Sequence, residues 1–302
     1  MQTLVRRDMR YRDAVDKYFK TRHFASLSYS SQKGYEACLI SFGRMSVMGR
    51  KLSSTDIQKI NVLLCTELYD TWELVTSTSN ANHNARVFSV LMNYLVSLDL
   101  IPANPMARVK KRTSTPRSVI WTHEQVIKFL DSAFTKFEWR NIGLIVLMCY
   151  EWGQRPIDIR NLKWDDVDLD SRVVKITQSK RGAVVELPMP DNIYDMLSVQ
   201  KKDWDFQPYV VPYHRASDGA YRPLTVYNMT SLLSEVKSTA GLPDELRVGD
   251  LRKTAIVQMI ESGVDHLAIQ SVSGHKNVSS LNPYNKFSLK TARLALDKRQ
   301  RE

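Results

Sequence analysis

Glu151-Trp152-Gly153-Gln154-Arg155-Pro156-Ile157-Asp158-Ile159-Arg160-Asn161-Leu162-Lys163-Trp164 carries the first of several residues whose order, more than any local run, gives this chain its reading. About a hundred residues further on stands Asp250-Leu251-Arg252-Lys253-Thr254, then Ser273-Gly274-His275, then Tyr284 nine residues after the histidine. Two arginines, an imidazole and a phenol are the groups needed to grip a phosphate and attack it. Arginine's planar fork binds phosphate oxygens in pairs and stays charged at working pH. Preorganised cations aimed at non-bridging oxygens stabilise the charge that builds as phosphorus is attacked. A phenol is mostly protonated at neutral pH and needs help to attack, and an imidazole can assist proton movement.

Composition narrows the class of partner. Among 302 residues, 43 are Lys or Arg and 32 are Asp or Glu, a net charge of +11 that predicts a polyanionic partner. The apolar fraction of 43% and charged fraction of 25% are those of a folded globular chain. Cys38, Cys65 and Cys149 stand singly, with no Cys-x-x-Cys spacing, which argues against a disulfide framework or a zinc site and for a reducing cytosol. Arg6, Arg7, Asp8 and Arg10 make the start too polar for a signal peptide, and no run reaches the length of a membrane helix. The expected location is cytoplasmic, and no metal, ATP or other cofactor is expected.

The first hundred residues read as helices. Tyr11, Val15, Tyr18 and Phe19 form one apolar stripe; Leu64, Leu68, Trp72 and Val75 form a second; Val87, Val90, Leu91, Tyr94, Leu95 and Leu98 form a third. The polar clusters 26–31 and 77–82 read as loops or caps. At Pro102-Ala103-Asn104-Pro105 the character changes, and Arg108, Lys110, Lys111, Arg112 and Arg117 follow with no acid among them. That stretch reads as a basic linker. A tether between two DNA-binding modules would use such charge to displace counterions from phosphates. With Arg86, the cations Arg108, Lys110, Lys111 and Arg112 make the candidate DNA-binding set.

A second domain opens at Trp121-Thr122-His123-Glu124-Gln125, where Thr122 and Gln125 form a capping-box pattern. Residues 142–150 are apolar all round and predict a central buried helix. Residues 172–177 and 183–187 are β-branched runs flanking Lys180-Arg181-Gly182, a hairpin signal. Further helices are expected around 193–199, 226–240, 254–262 and 266–272. The overall expectation is a mainly α fold with a small antiparallel β-sheet, in two domains with a linker: 1–104, 105–118 and 119–302.

On these residues the chain resembles the tyrosine recombinase, or phage integrase, family, along essentially its whole length. Residues 153–168 are similar to the family's first catalytic box, and Asp250-Leu251-Arg252-Lys253-Thr254, Gly274-His275 and Tyr284 to its second. The segment 80–98 with Asn104-Pro105 resembles the end of the helical core-binding domain. The resemblance implies a two-domain DNA clamp that cuts and rejoins DNA through a 3′-phosphotyrosyl link. In that scheme Arg155 and Arg252 clamp the phosphate and Tyr284 is the nucleophile. His275 assists, and Lys180 at the hairpin tip protonates the departing 5′-oxygen, with Lys175 and Arg181 as neighbours that could take its place. Asp158, one helical turn after Arg155, could orient that guanidinium.

Residues 286–302 read as an amphipathic helix, which the resemblance implies docks into a neighbouring protomer of a tetramer on two DNA sites. A host DNA-bending protein or directionality factor is the class of accessory partner expected, in a bacterial cell and at its nucleoid. The chain begins close to the core-binding domain, so an additional arm-binding domain is not expected.

Three departures stand out. Gly249 occupies the position three before the second arginine where the family carries a histidine, Lys253 stands where a second histidine is common, and Leu281 and Pro283 replace the usual residues before the tyrosine. The loss at Gly249 removes a proton-handling group but leaves the phosphate clamp, and Lys253 is a supporting candidate. A helix-turn-helix regulator built on residues 254–272 would bind DNA without cutting it, yet has no use for the five groups in this order. A type IB topoisomerase shares the chemistry on one duplex, whereas the helical first domain and the exchange tail favour recombination between two. Integration and excision of a phage or mobile element is the expected role. A chromosome- or plasmid-dimer-resolving recombinase and a catalytically weakened DNA-binding homologue are the alternatives.

Overall fold

The computed structural model describes residues 9–180, 182–216, 218–275, 277–284, 293, 296 and 297. The chain divides into two compact units, Met1–Arg117 and Ser118–Glu302, each with its own apolar core. Together they are mainly α-helical, with three small antiparallel sheets. No helix among the described residues is long and apolar enough to cross a membrane.

In the first unit, α1 (Tyr11–Phe19), the single turn α2 (Arg22–Ala25), α3 (Tyr29–Arg44), α4 (Val62–Val75) and α5 (Thr78–Ser97) pack round a shared core, with a two-residue ribbon β1 (Ser46–Val47) and β2 (Arg50–Lys51). All three expected stripes are helical. Their inward residues Tyr11, Leu68, Trp72 and Leu91 are almost wholly buried, but the stripes overreach at their ends, where Val75 is 67% and Leu98 39% exposed. The polar cluster 26–31 divides at Ser28, which caps α3 by accepting from the Ser31 amide at 3.3 Å, so that 26–28 precede the helix and 29–31 begin it. Ser77 likewise caps α5. The weak apolar signal of α3, which buries only Leu39, Phe42 and Gly43, explains why it has no clear stripe. Phe42 closes on Trp72 with ring centroids 4.5 Å apart, and Tyr11 stacks on Phe88 at 5.9 Å.

Residues 105–112 do not behave as a free tether. Pro105 starts a short 3-10 turn whose Met106, together with Val109, is buried in the first unit's core. Arg112 is anchored there too: its amide donates to the Tyr69 hydroxyl at 2.8 Å and its carbonyl accepts from Asn82 Nδ2 at 2.9 Å. Apolar side chains inside the basic run, invisible in a count of charge, cause this docking.

In the second unit, α6 (His123–Ala133) begins with the expected capping box. Thr122 Oγ1 accepts from the Gln125 amide at 3.1 Å, and Gln125 Oε1 from the Thr122 amide at 2.9 Å. The buried helix α7 (Phe137–Trp152) runs through the core, with α6 and α11 packed against it. It ends at Gly153, whose φ of +59° is the left-handed conformation that glycine adopts without steric cost. A short helix α8 (Pro156–Arg160) follows, then the sheet β3 (Val167–Asp168), β4 (Val173–Thr177) and β5 (Val184–Pro188) in that order. Thr177 pairs with Val184 at the hairpin end.

Next come α9 (Asp191–Trp204), the hairpin β6 (Pro212–Arg215) and β7 (Ala220–Pro223), α10 (Val226–Thr239), α11 (Val248–Glu261) and α12 (His266–Ser273). A 3-10 helix, Val278–Tyr284, ends the continuous description. The β6–β7 hairpin was not expected. Helix α11 starts six residues earlier than expected, because Asp250 accepts from the Arg247 amide at 3.0 Å and caps a turn that the sequence offers as loop. The amphipathic helix expected over 286–302 lies outside the described residues, apart from the helical positions 293, 296 and 297.

Candidate active site

Arg155 is the residue immediately before α8, held by the Gly153 turn behind it and by Pro156 at the first helical position ahead. Its Nη1 donates to Gln178 Oε1 at 3.1 Å and lies 3.7 Å from Asp158 Oδ2, an ion-pair contact too long for a hydrogen bond. Asp158 is not a surface carboxylate. It is buried, and Oδ1 accepts from both the amide (2.8 Å) and the hydroxyl (2.6 Å) of Ser179. It therefore fastens α8 to the β4–β5 hairpin, while Oδ2 has a cation nearby but no donor.

Arg252 sits in the first turns of α11 and is only 6% exposed. Nη1 donates to the Gly153 carbonyl at 3.0 Å and Nη2 to the Ser273 carbonyl at 2.9 Å. Arg252 thus bridges the two glycine-terminated helix ends, those of α7 and α12, while Arg155 is held through Gln178 and Asp158. Burial, and next the positive charge of Arg155, pull the Arg252 guanidinium well below its ordinary value, down to about 10, while Tyr284 and Asp158 act in the opposite direction. Two like charges held close in a partly dry site create the demand for an anion.

His275 stands beside them. Arg252 Nη2 lies 3.2 Å from Nε2 and 3.5 Å from Nδ1, and the Ser273 hydroxyl is 2.7 Å from Nδ1. Arginine only donates, so this pattern assigns the lone pair to Nε2 and the proton to Nδ1, directed at Ser273 Oγ. The Tyr284 ring is 6.2 Å from the His275 ring, centroid to centroid, and rests against Ile256, Ile269 and Leu281.

Lys180 is exposed at the hairpin tip, where the Gly182 amide closes the turn on the Gln178 carbonyl at 2.8 Å. Its base is tied to the site through Ser179 and Asp158. Arg181, its rival, lies outside the described residues; Lys175 instead pairs across the sheet with Glu186 at 3.2 Å. Gly249 occupies the second position of α11, exposed, with no atom within 4 Å of where a Cβ would stand. Lys253 is half-buried on the same helix.

The structure brings Arg155, Asp158, Arg252, His275 and Tyr284 into one connected neighbourhood of the second unit. The candidate DNA-binding set lies in the first unit. There Arg86, Arg108, Lys110 and Lys111 are exposed. Arg112 is also exposed, but its guanidinium pairs with Asp70 at 3.3 Å and with Glu73, so much of its charge is already answered.

Sequence reasoning missed Gln154, Gln178, Ser179 and Ser273. One signal was available: Val174 and Ile176 face the core in β4, and alternation puts a polar residue, Gln178, at the next inward position.

Known proteins share this arrangement of chain. The tyrosine recombinase XerA of Thermococcus kodakarensis is 31% identical over 158 residues, 51% of this chain and 54% of that protein. XerC of Pediococcus pentosaceus is 21% identical over 63% of this chain and 65% of its own length. The chain spans 54%, 63% and 62% of the length of the three archaeal XerA proteins that it matches. Among solved structures, the Tn1549 transposon integrase in complex with a circular intermediate DNA superposes with a TM-score of 0.75 at 18% identity, over 96% of this chain and 99% of that one. A lambda integrase tetramer bound to a Holliday junction gives 0.72 at 15% identity, over 91% and 76%. The sequence profile of the phage integrase family matches residues 120–290, more than half of the chain and every residue of the site. The chain belongs to the phage integrase family, the tyrosine recombinases.

Proposed function

We propose that this protein is a site-specific DNA recombinase that cuts and rejoins DNA through Tyr284, acting for a phage or other mobile element. The observation that carries the reading is the pairing of Arg155 with a buried, cationic Arg252 beside His275 and Tyr284. The two guanidinium groups grip the non-bridging oxygens of the scissile phosphate, and their grip strengthens as charge accumulates there. The Tyr284 oxygen attacks phosphorus, the bond to the 5′-oxygen breaks, and Lys180 gives that oxygen its proton. His275 takes the phenol's proton on Nε2, and the Ser273 hydroxyl beside Nδ1 steadies the imidazolium that results. Religation runs the same steps backwards. No step draws on a metal ion or ATP.

Double-stranded DNA is the substrate, and recombination between two sites needs several copies of the chain, as in the lambda integrase tetramer. The basic side chains Arg86, Arg108, Lys110 and Lys111 supply phosphate contacts from the first unit, which acts as the core-binding domain, and residues 113–118 serve as linker. A host DNA-bending protein or directionality factor and a nucleoid location belong to the same reading. The XerA and XerC likeness favours a second reading, resolution of chromosome or plasmid dimers.

One experiment addresses both. Cells expressing the wild-type chain or Tyr284→Phe are lysed in SDS, and DNA still attached to the protein is recovered and sequenced. Wild type retains DNA and Tyr284→Phe retains none. An integrase maps to two unlike loci, one at the element's end and one in the chromosome, whereas a dimer resolvase maps to a single replicon site. Absence of attached DNA from wild type, or its persistence in Tyr284→Phe, sinks the phosphotyrosyl mechanism.

A further inference from the structure

Gln178 is wholly buried at the inward position that follows Val174 and Ile176, where packing alone would favour an aliphatic side chain. Its amide is fully engaged. Nε2 donates to Gln154 Oε1 and to the Ser273 carbonyl, both at 2.8 Å, and Oε1 accepts from Arg155 Nη1 at 3.1 Å. The Ser273 carbonyl is the same oxygen that accepts Arg252 Nη2 at 2.9 Å. A single amide thus joins one arginine to the carbonyl that holds the other. Gly274 closes over it with φ +68°, and any Cβ at that glycine would overlap the Gln178 amide. The fit requires one donor and one acceptor at fixed places. A carboxylate would repel the Ser273 and Gln154 oxygens, and an apolar side chain would leave them short of a donor and release Arg155.

We propose that Gln178 is a positioning residue for strand cleavage: it sets the spacing of the Arg155 and Arg252 guanidinium groups. Because it lies two residues before Lys180, it also fixes the hairpin's register against that pair. This rests on the recombinase reading of the same site. Gln154 provides the contrast. It is equally buried and shares the amide pair, but its Nε2 donates to the Trp152 and Val272 carbonyls, and none of its hydrogen bonds reaches either arginine.

The test uses the full chain and a nicked suicide duplex carrying the site mapped by covalent capture. One version has an ordinary scissile phosphodiester, the other a methylphosphonate that lacks one charged oxygen. Gln178→Met is expected to form adduct about 10–100-fold more slowly on the phosphodiester, since small misplacements of catalytic groups have effects of that size. Its deficit shrinks to within about threefold on the methylphosphonate, where the arginines have less charge to stabilise. Gln154→Met loses less than a third as much on the phosphodiester.

Equal losses in the two variants, or an equal Gln178→Met loss on both substrates, would mean packing alone and overturn the proposal, as would a Gln178→Met rate within threefold of wild type. Should Gln178→Met fail to melt cooperatively, Gln178→Glu takes its place with the same expectations, and a Glu variant as fast as wild type overturns the proposal. Failure of wild type to form adduct strikes the recombinase reading instead.

Discussion

At Gly249 the chain leaves open space where a side chain on the second position of α11 would project. The Cβ of a histidine there meets no obstacle and, replacing a helical glycine, the residue carries no propensity penalty. Gly249→His is expected to raise the rate of covalent adduct formation about tenfold, because a positioned proton-transfer group is worth that or more. Single-turnover cleavage by both proteins measures it. An unchanged rate would mean that another group already moves that proton.

Arg252 gives a second residue-scale expectation. Its folded pKa near 10 lies well below that of a free guanidinium, so this arginine is charged below about 10 and discharges above it. Cleavage at limiting DNA should fall as pH rises through about 10. The sign for stability is opposite: the buried charge costs stability at all lower pH, and that cost fades as pH rises from about 10 towards the ordinary guanidinium value, where the unfolded chain binds the extra proton. A rate that stays flat from pH 8 to 10.5 contradicts the assignment.

At the scale of elements, the join between α8 and the β4–β5 hairpin rests on the Asp158 carboxylate accepting twice from Ser179. Asp158→Ala should lower stability by about 2–4 kcal/mol, the usual effect of stripping a buried, charge-assisted contact, and should expose the hairpin to protease. Urea midpoints and limited proteolysis read the two effects; a stable variant with a resistant hairpin would contradict this role.

The elements most legible in the sequence are those built on local periodicity or local caps. The α6 capping box, the buried α7 and the β4–β5 hairpin emerge where the residue pattern places them. Arg155, Arg252 and Tyr284 were legible through their spacing. Gln178 and Ser273 were not, because their roles depend on partners 95 residues apart in the chain, and an amide or a hydroxyl has no local pattern to announce it. The start of α11 was misjudged for a related reason: Gly249 and Asp250 resemble loop residues until Asp250 is seen capping the Arg247 amide. The basic stretch after residue 105 misled in the other direction, since Met106 and Val109 bury themselves among its charges.

For the molecule as a whole, the net charge of +11 sets what the proposed binding of DNA should depend on. Binding that uses six or more phosphate contacts should weaken by about 10³-fold or more between 50 and 200 mM salt. A titration of affinity against salt checks this, and a shallow slope would contradict a phosphate-dominated interface.

The division into two units with separate cores has an evolutionary consequence. Every group placed in the bond-making chemistry lies within Ser118–Glu302, and the basic candidates for DNA contact outside it lie within Met1–Arg117. Gln178, Asp158 and the Gly153 and Ser273 carbonyls, which hold the arginines, all lie in the second unit, so substitutions on the surface of the first leave those residues themselves unchanged. Under the proposed function, a lineage could acquire new target preferences by drift in one half while keeping the residues of the reaction in the other. Chimeras that graft a relative's helical half onto residues 118–302 offer the laboratory form of that history.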